Sequence, residues 1–478
     1  MRWLLAQKPL VALVACVGSL TSCGDAVTAS KPAAADSARP AKSNASSSPG
    51  PEVSPVASIA VERAPTQGLS GLVGALERPK ALSRVFSAWS RLEEGRADDD
   101  VRIVQFGDSH TAADLQTGTV RRLLQGRFGD GGRGLVAIGR PWKGWRQQGV
   151  RVGMSGTWTP ERGKVDRGKL SGDGLYGLLG VGLSSRSKGA RAWLEAAGTS
   201  RAELAFLAQP KGGAFDVLVD GTQVVRVSSK SSSAASAYVS VDMSESSAHQ
   251  LEIRPAGDGD VRVFGAALDR AEHGVIFDAL GINGARIQTV LSWDEAHVAE
   301  QLQHRAPHLV ILAYGTNEST DSEAVLRRYE ERLVLTVDRM ARAVPGAACL
   351  LLGPPDRAVR SSEGWVTPPT IQEILATQRR VAQAAGCAFY DQTAAMGGEG
   401  AMAAWAAESP PRAQRDRVHL TREGYEQLGS AFASDLLRAY EAWRRDSGLA
   451  PGATREHPTP SSSRLEAMDG GSVEQDAR

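Results

Sequence analysis

The sequence predicts an α/β protein: a doubly wound, five-stranded parallel sheet with a β-sandwich module inserted into it. Two observations predict it. Short β-branched runs alternate with helix-period segments before about residue 140 and again from Val275 onward, the rhythm of a parallel sheet with crossover helices on both faces. Between Arg140 and His273 that rhythm gives way to short alternating runs separated by Gly, Asp and Ser turns, the spacing of an antiparallel sandwich.

The first 23 residues stand apart from this fold. Arg2 and Lys8 give a positive start, and Pro9 to Leu20 is mostly apolar. This is the layout of an export signal, and the run is too short to cross a hydrocarbon core of about 30 Å as a helix. Leu20-Thr21-Ser22-Cys23 is similar to a bacterial lipoprotein signal. That similarity implies lipidation at Cys23, a membrane anchor through the acyl chains, and a place in the periplasm or cell envelope. Residues 24–70 are rich in Ala, Ser and Pro without an apolar period and are expected to form a flexible tether. Residues 447–478 have the same character, so a disordered tail is expected there.

The elements of the α/β part follow in order, over residues 71–140 and 275–446. Leu82, Val85, Phe86, Trp89 and Leu92 fall at helical spacing and predict a helix over 81–94. A strand is expected at 101–106, then a tight turn and a helix with Val120, Leu123, Leu124 and Phe128 on one face. After the insert of residues 141–274, strands are expected at 275–280, 309–314, 349–352 and 388–390. Helices are expected at 294–303, 323–343, 371–385 and 422–444. Within the insert, the β runs are 192–195, 202–208, 215–219, 223–227, 237–241, 250–253 and 261–266.

Composition excludes several classes. With 55 basic and 54 acidic residues among 478, a net charge of +1 leaves no large electropositive surface for nucleic acid. Four cysteines are too few for a disulfide-stapled scaffold. Export removes Cys16 and lipidation uses Cys23, so Cys349 and Cys387 remain, beside expected buried strands. They read as two inert core thiols, or as a disulfide in an oxidising compartment. His304 and His308 have i, i+4 spacing, but Pro307 ends the helix between them, so a zinc pair is not expected.

Four short segments carry chemistry. Gly107-Asp108-Ser109, Gly281-Ile282-Asn283-Gly284, Gly315-Thr316-Asn317-Glu318 and Asp416-Arg417-Val418-His419 each stand beside an expected strand or helix. In order and spacing they resemble blocks I, II, III and V of the SGNH (GDSL-type) hydrolases, over about residues 81–140 and 275–440. In a flavodoxin-like strand order the first and third strands are neighbours, and ligands bind beyond their carboxyl ends. That order brings Ser109 and Asn317 to one crevice. A serine hydroxyl needs a base to become a nucleophile. His419 is the candidate base and Asp416 the carboxylate that orients it. The backbone N–H groups of Ser109 and Gly284, with the amide of Asn317, are the candidate oxyanion hole.

Block I has His110 where most members of the family have Leu, and block III ends in Glu318 rather than Asp. Gly-Asp-Ser-His110, the segment from Phe128 to Gly134 and Gly-Ile-Asn-Gly-Ala-Arg286 are similar to the peptidoglycan O-acetylesterase branch. Members of that branch carry a carbohydrate-binding-like β-module between blocks I and II. The resemblance implies a serine esterase that removes acetyl groups from the C6 hydroxyl of muramic acid through an acetyl-Ser109 intermediate, with cell-wall glycan as partner and neither cofactor nor metal. An O-acetyltransferase on the same scaffold and a non-catalytic cell-wall-binding lipoprotein are the alternatives. His110 reads as a second-layer contact or a buried, hydrogen-bonded histidine. Trp142 and Trp145 either stack on sugar rings or pack at the module junction. The Gly-rich stretch 128–135 lacks the Gly-Lys-Ser/Thr ending of a phosphate loop and is expected to line the pocket as a loop.

Overall fold

Strand Val101–Gly107 is buried everywhere except at Arg102, and strands Val275–Gly281 and Leu309–Ala313 are buried throughout. Such continuous burial fits strands covered on both faces. In this computed structural model, which describes residues 74–166, 169–170 and 172–449, successive side chains feed two different cores. Val101 and Ile103 pack with Phe86, Trp89, Phe128 and Phe432. Val104 and Phe106 pack with Val298, Leu302, Val337 and Ile374. Residues 1–73, with the expected export signal, Cys23 and the tether, lie outside the described residues, as does the tail beyond residue 449.

The parallel strands run in the order Val275–Gly281, Val101–Gly107, Leu309–Ala313, Ala348–Leu352, Ala388–Tyr390. In chain order this is 2-1-3-4-5, the flavodoxin-like arrangement. A sixth, antiparallel strand, Leu76–Glu77, closes one edge against Ala388–Tyr390, so the sheet is larger than the five strands expected. Two residues carry no readable period.

Helices Ser83–Glu93, Gln116–Phe128, Glu295–Arg305, Pro369–Ala385 and Arg422–Asp446 stand close to their expected places. Leu123 is nevertheless 38 % exposed, while Val120, Leu124 and Phe128 are buried. The expected helix 323–343 is interrupted: Glu323–Leu326 is followed after two residues by Tyr329–Ala343. Cys349 and Cys387 form a disulfide, with Cα atoms 4.7 Å apart, across the neighbouring ends of two parallel strands.

The insert forms two antiparallel sheets. One orders Ala235–Asp242, Arg201–Ala208, Val261–Asp269, Val181–Ser185 and Thr159–Arg162. The other orders Thr222–Ser228, Ala214–Val219, Ala248–Pro255, Arg191–Ala197 and Val150–Ser155. Leu194, Leu204, Phe206, Phe215, Val217, Ile253 and Val263 from both sheets fill one core, with Phe206 and Phe215 edge to face at 5.2 Å. All seven expected runs are strands.

The stretch 128–135 is not a pocket loop. Phe128 ends a helix, and Gly132–Val136 is a strand paired with Val261–Asp269. Its glycines serve close approach: a Cβ on Gly132, at φ +125°, would stand 2.4 Å from the Leu268 carbonyl oxygen. A buried ion pair locks this junction, with Arg133 Nη2 2.5 Å from Asp114 Oδ2. His304 and His308 go to different partners. His304 stacks on Tyr238 of the insert at 3.6 Å and meets Glu203 at 2.8 Å, whereas His308 Nδ1 accepts the Arg102 backbone N–H at 3.3 Å.

Candidate active site

Two glycines shape the floor of the site. A Cβ on Gly107 would stand 2.1 Å from Thr111 Oγ1, and one on Gly281 would stand 2.1 Å from the Ala112 nitrogen. Without those side chains, the helical turn Ser109–Ala112 settles directly on the ends of two adjacent strands. Asp108 caps the turn by accepting the His110 backbone N–H at 2.9 Å. Burial pushes the Asp108 carboxyl up to about 6, against that hydrogen bond and one from the Thr316 side chain.

Ser109, half-buried at the head of the turn, faces the loop that precedes the last helix. Ser109 Oγ lies 2.8 Å from His419 Nε2, and His419 Nδ1 lies 2.7 Å from Asp416 Oδ2. The other Asp416 oxygen accepts the backbone N–H groups of Val418 and His419, each at 3.0 Å. Partial burial works to raise the Asp416 pKa, but the His419 hydrogen bond and those two N–H groups hold it well below the usual carboxylate range. A carboxylate kept ionised at Nδ1 fixes the tautomer that leaves Nε2 free to take the serine proton.

The loop itself is braced. The Ala358 N–H donates to the Arg417 carbonyl at 3.0 Å, and the Arg417 guanidinium lies 3.9 Å from the centre of the Trp365 ring. Trp365 belongs to a hairpin, Val359–Ser361 with Gly364–Val366, that carries too few residues to read from sequence. Beneath His419, the His110 ring stands 5.4 Å away, centroid to centroid. His110 is buried, with Nδ1 3.0 Å from the Tyr425 hydroxyl. Burial, then the nearby His419, pushes it down to about 3. It therefore stays neutral under His419 rather than reaching a substrate.

Asn317 follows the third strand and donates one amide N–H to the Ala285 carbonyl at 2.8 Å, leaving its second amide hydrogen for another acceptor. Ala285 directly follows Gly284, which sits at φ +73°. Glu318, next to Asn317, accepts the Ile287 N–H at 2.6 Å, so the 281–287 loop is tied to the third strand's end at two points. Burial pushes the Glu318 carboxyl up to about 7. Sequence marked Glu318 only as a departure from the family pattern. Arg357 was not anticipated at all; its Nη1 lies 3.3 Å from the Thr316 carbonyl and 3.2 Å from Ser319 Oγ.

The expected sugar platform divides. Trp145 is 7 % exposed and meets Trp142 edge to face at 4.3 Å, inside the core that also holds Ile282 and Val181. A ring so covered cannot stack on a sugar, and packing at the junction is what it does. Trp142 stays half-exposed, with the Arg162 guanidinium 5.8 Å from its ring centre.

Comparison with known proteins agrees with this geometry. The family model of the GDSL-like lipase/acylhydrolase family matches residues 247–427, a span that holds Gly284, Asn317, Asp416 and His419 but not Ser109. A structure described as "Peptidoglycan O-acetylesterase in action" aligns at 26 % identity and a TM-score of 0.66, covering 77 % of this chain and 100 % of that one. A family two carbohydrate esterase from Clostridium thermocellum aligns at 11 % identity and TM-score 0.27, over 55 % of this chain and 95 % of its own. A catalytic mutant of an acetylxylan esterase from Geobacillus stearothermophilus aligns at 20 % and 0.27, over 34 % and 73 %. Those last two scores are too low to add weight. No curated protein matches the sequence. Residues 247–427 thus match the GDSL-like lipase/acylhydrolase family, and the chain is similar in structure to a peptidoglycan O-acetylesterase, which together support an SGNH-type esterase.

Proposed function

We propose that the protein removes O-acetyl groups from a cell-envelope polysaccharide, with the C6 acetyl of peptidoglycan muramic acid as its substrate. The observation that carries the reading is the unbroken relay from Ser109 Oγ through His419 to Asp416, at 2.8 and 2.7 Å. In this mechanism Ser109 attacks the acetyl carbonyl while His419 Nε2 takes its proton and passes it to the leaving sugar hydroxyl. Water then attacks the acetyl-Ser109 ester with His419 as base. The oxyanion of each tetrahedral intermediate is held by the Ser109 and Gly284 N–H groups and the free amide hydrogen of Asn317.

The likeness to a peptidoglycan O-acetylesterase over that whole chain supports the substrate, and the insert supplies surface beyond an acetyl-sized pocket. The signal-like N-terminus supports export and anchoring through Cys23. Acetate release from O-acetylated peptidoglycan, set beside acetylated xylan, tests the reading. Preferential release from peptidoglycan is expected; turnover of xylan alone would move the substrate to plant polysaccharide.

A further inference from the structure

The insert touches the 281–287 loop at two places and the turn that follows it at a third. The Trp293 indole N–H donates to the Gly163 carbonyl at 2.6 Å, and Trp293 closes the turn that follows this loop. A Cβ on Gly180 would strike Ile282 Cδ1 at 2.3 Å, and one on Gly284 would stand 2.7 Å from the ammonium nitrogen of Lys164. Lys164 lies just after strand Thr159–Arg162, where its N–H donates to the Arg162 carbonyl at 2.7 Å and the Gly163 N–H to the Gly180 carbonyl at 2.8 Å. Gly163, next to Lys164, is thus held through both its N–H and its carbonyl, and the Lys164 ammonium group stands against the glycine assigned to the oxyanion hole.

Lys164 is half-buried and forms no ion pair among the described residues. The two acidic side chains bound to the 281–287 loop are themselves engaged: Asp321 with Arg286, and Glu318 with the Ile287 N–H. A partly desolvated ammonium without a carboxylate is costly unless a ligand completes it. A cation so placed also favours anionic substrates over neutral ones.

We propose that Lys164 binds a carboxylate of the substrate beside the acetyl group under attack, so that the insert selects acetylated sugars bearing an acid. The inference rests on the esterase reading above and narrows its substrate class. The carboxylate belongs either to a uronic acid or to the ether-linked lactyl group of a muramic acid whose stem peptide has been removed, since a stem peptide turns that carboxyl into an amide.

Paired substrates test it. Initial rates would be measured for wild type, Lys164→Met and Lys164→Arg on an acetylated glucuronate glycoside and on its neutral glucoside counterpart. An acetylated muramyl glycan, free and carboxyl-amidated, would form the second pair. Lys164→Met should lower kcat/KM on acid substrates about tenfold, chiefly through KM, and change the neutral ones by less than about twofold. Lys164→Arg should keep most of the acid preference. Whichever pair shows the larger wild-type preference identifies the source of the carboxylate. Equal losses on acid and neutral substrates would overturn the proposal, since Lys164 would then serve the oxyanion or the fold. So would a wild type indifferent to the acid. Calorimetric binding of the unacetylated acid sugars to Ser109→Ala, with and without Lys164→Met, reads the subsite apart from turnover. Binding weakened by Lys164→Met in an enzyme that cleaves no acetyl ester would reject the esterase reading and keep the acid site.

Discussion

Glu318 Oε1 accepts the backbone N–H of Ile287 at 2.6 Å, and through it a buried carboxyl holds the loop that carries Gly284. Its neighbour Asn317 grips the same loop at Ala285. The loop that carries Gly284 is therefore clamped by consecutive residues of one segment, one of which is also the candidate oxyanion donor.

Replacing this clamp has a sign that depends on pH. The folded Glu318 carboxyl holds its proton up to about 7, against an ordinary value of 4.5, because burial disfavours the charge. The folded state then binds more protons than the unfolded one across that window, so Glu318 subtracts stability as pH rises from about 4.5 to about 7. Glu318→Gln keeps the acceptor for Ile287 and should gain roughly 1–3 kcal/mol at pH 8, with little change at pH 4. Glu318→Ala orphans the Ile287 N–H and should lower kcat at every pH. Urea unfolding at several pH values reads the first effect, and a gain independent of pH would contradict it.

Ser109→Ala and His419→Ala should each abolish most turnover of a small acetyl ester. The double variant should be scarcely worse than either, because the residues act as a unit. Asp416→Asn should leave measurable activity, since the backbone N–H groups of Val418 and His419 still shape the loop. Multiplicative losses in the double variant would contradict the relay.

Asn317→Ala should lower kcat by about 10²-fold with KM little changed, as for a contact made chiefly in the transition state. Because Asn317 also holds Ala285, thermal unfolding of the variant must be compared with wild type. A defect confined to KM would mean that the amide binds ground-state substrate instead.

The Cys349–Cys387 disulfide closes a loop with a sequence separation of 38, for which chain entropy gives about 4 kcal/mol of stabilisation. Reduction, or a Cys349→Ala and Cys387→Ala pair, should lower the urea midpoint while leaving the acetyl esterase activity of the folded fraction intact. An unchanged midpoint would show that the bridge adds nothing beyond the packed strands.

What the sequence discloses here is what local pattern determines. Leu309–Ala313 reads as a buried strand from an unbroken apolar run, Val275–Gly281 from a run interrupted only by Asp278, and the helix Pro369–Ala385 from its period. The triad reads because Ser109 and His419 sit in short segments with fixed neighbours. Gly132–Val136 hides because glycine carries no strand signal and its pairing partner lies more than a hundred residues away. Lys164 hides for a different reason. A single lysine in a loop has no pattern, and its place beside Gly284 is set by how the insert docks, through Gly163, Gly180 and Trp293. Trp145 was ambiguous because burial at a module junction depends on both modules.

The covalent intermediate tests the central claim most directly. An activated acetyl ester mixed with the enzyme and quenched within milliseconds should leave one acetyl group on the peptide containing Ser109, seen by mass spectrometry. The label should vanish on a chase with buffer, as free acetate appears, and should be absent in Ser109→Ala. Acetyl transfer to another residue, or full turnover by Ser109→Ala, would contradict the account.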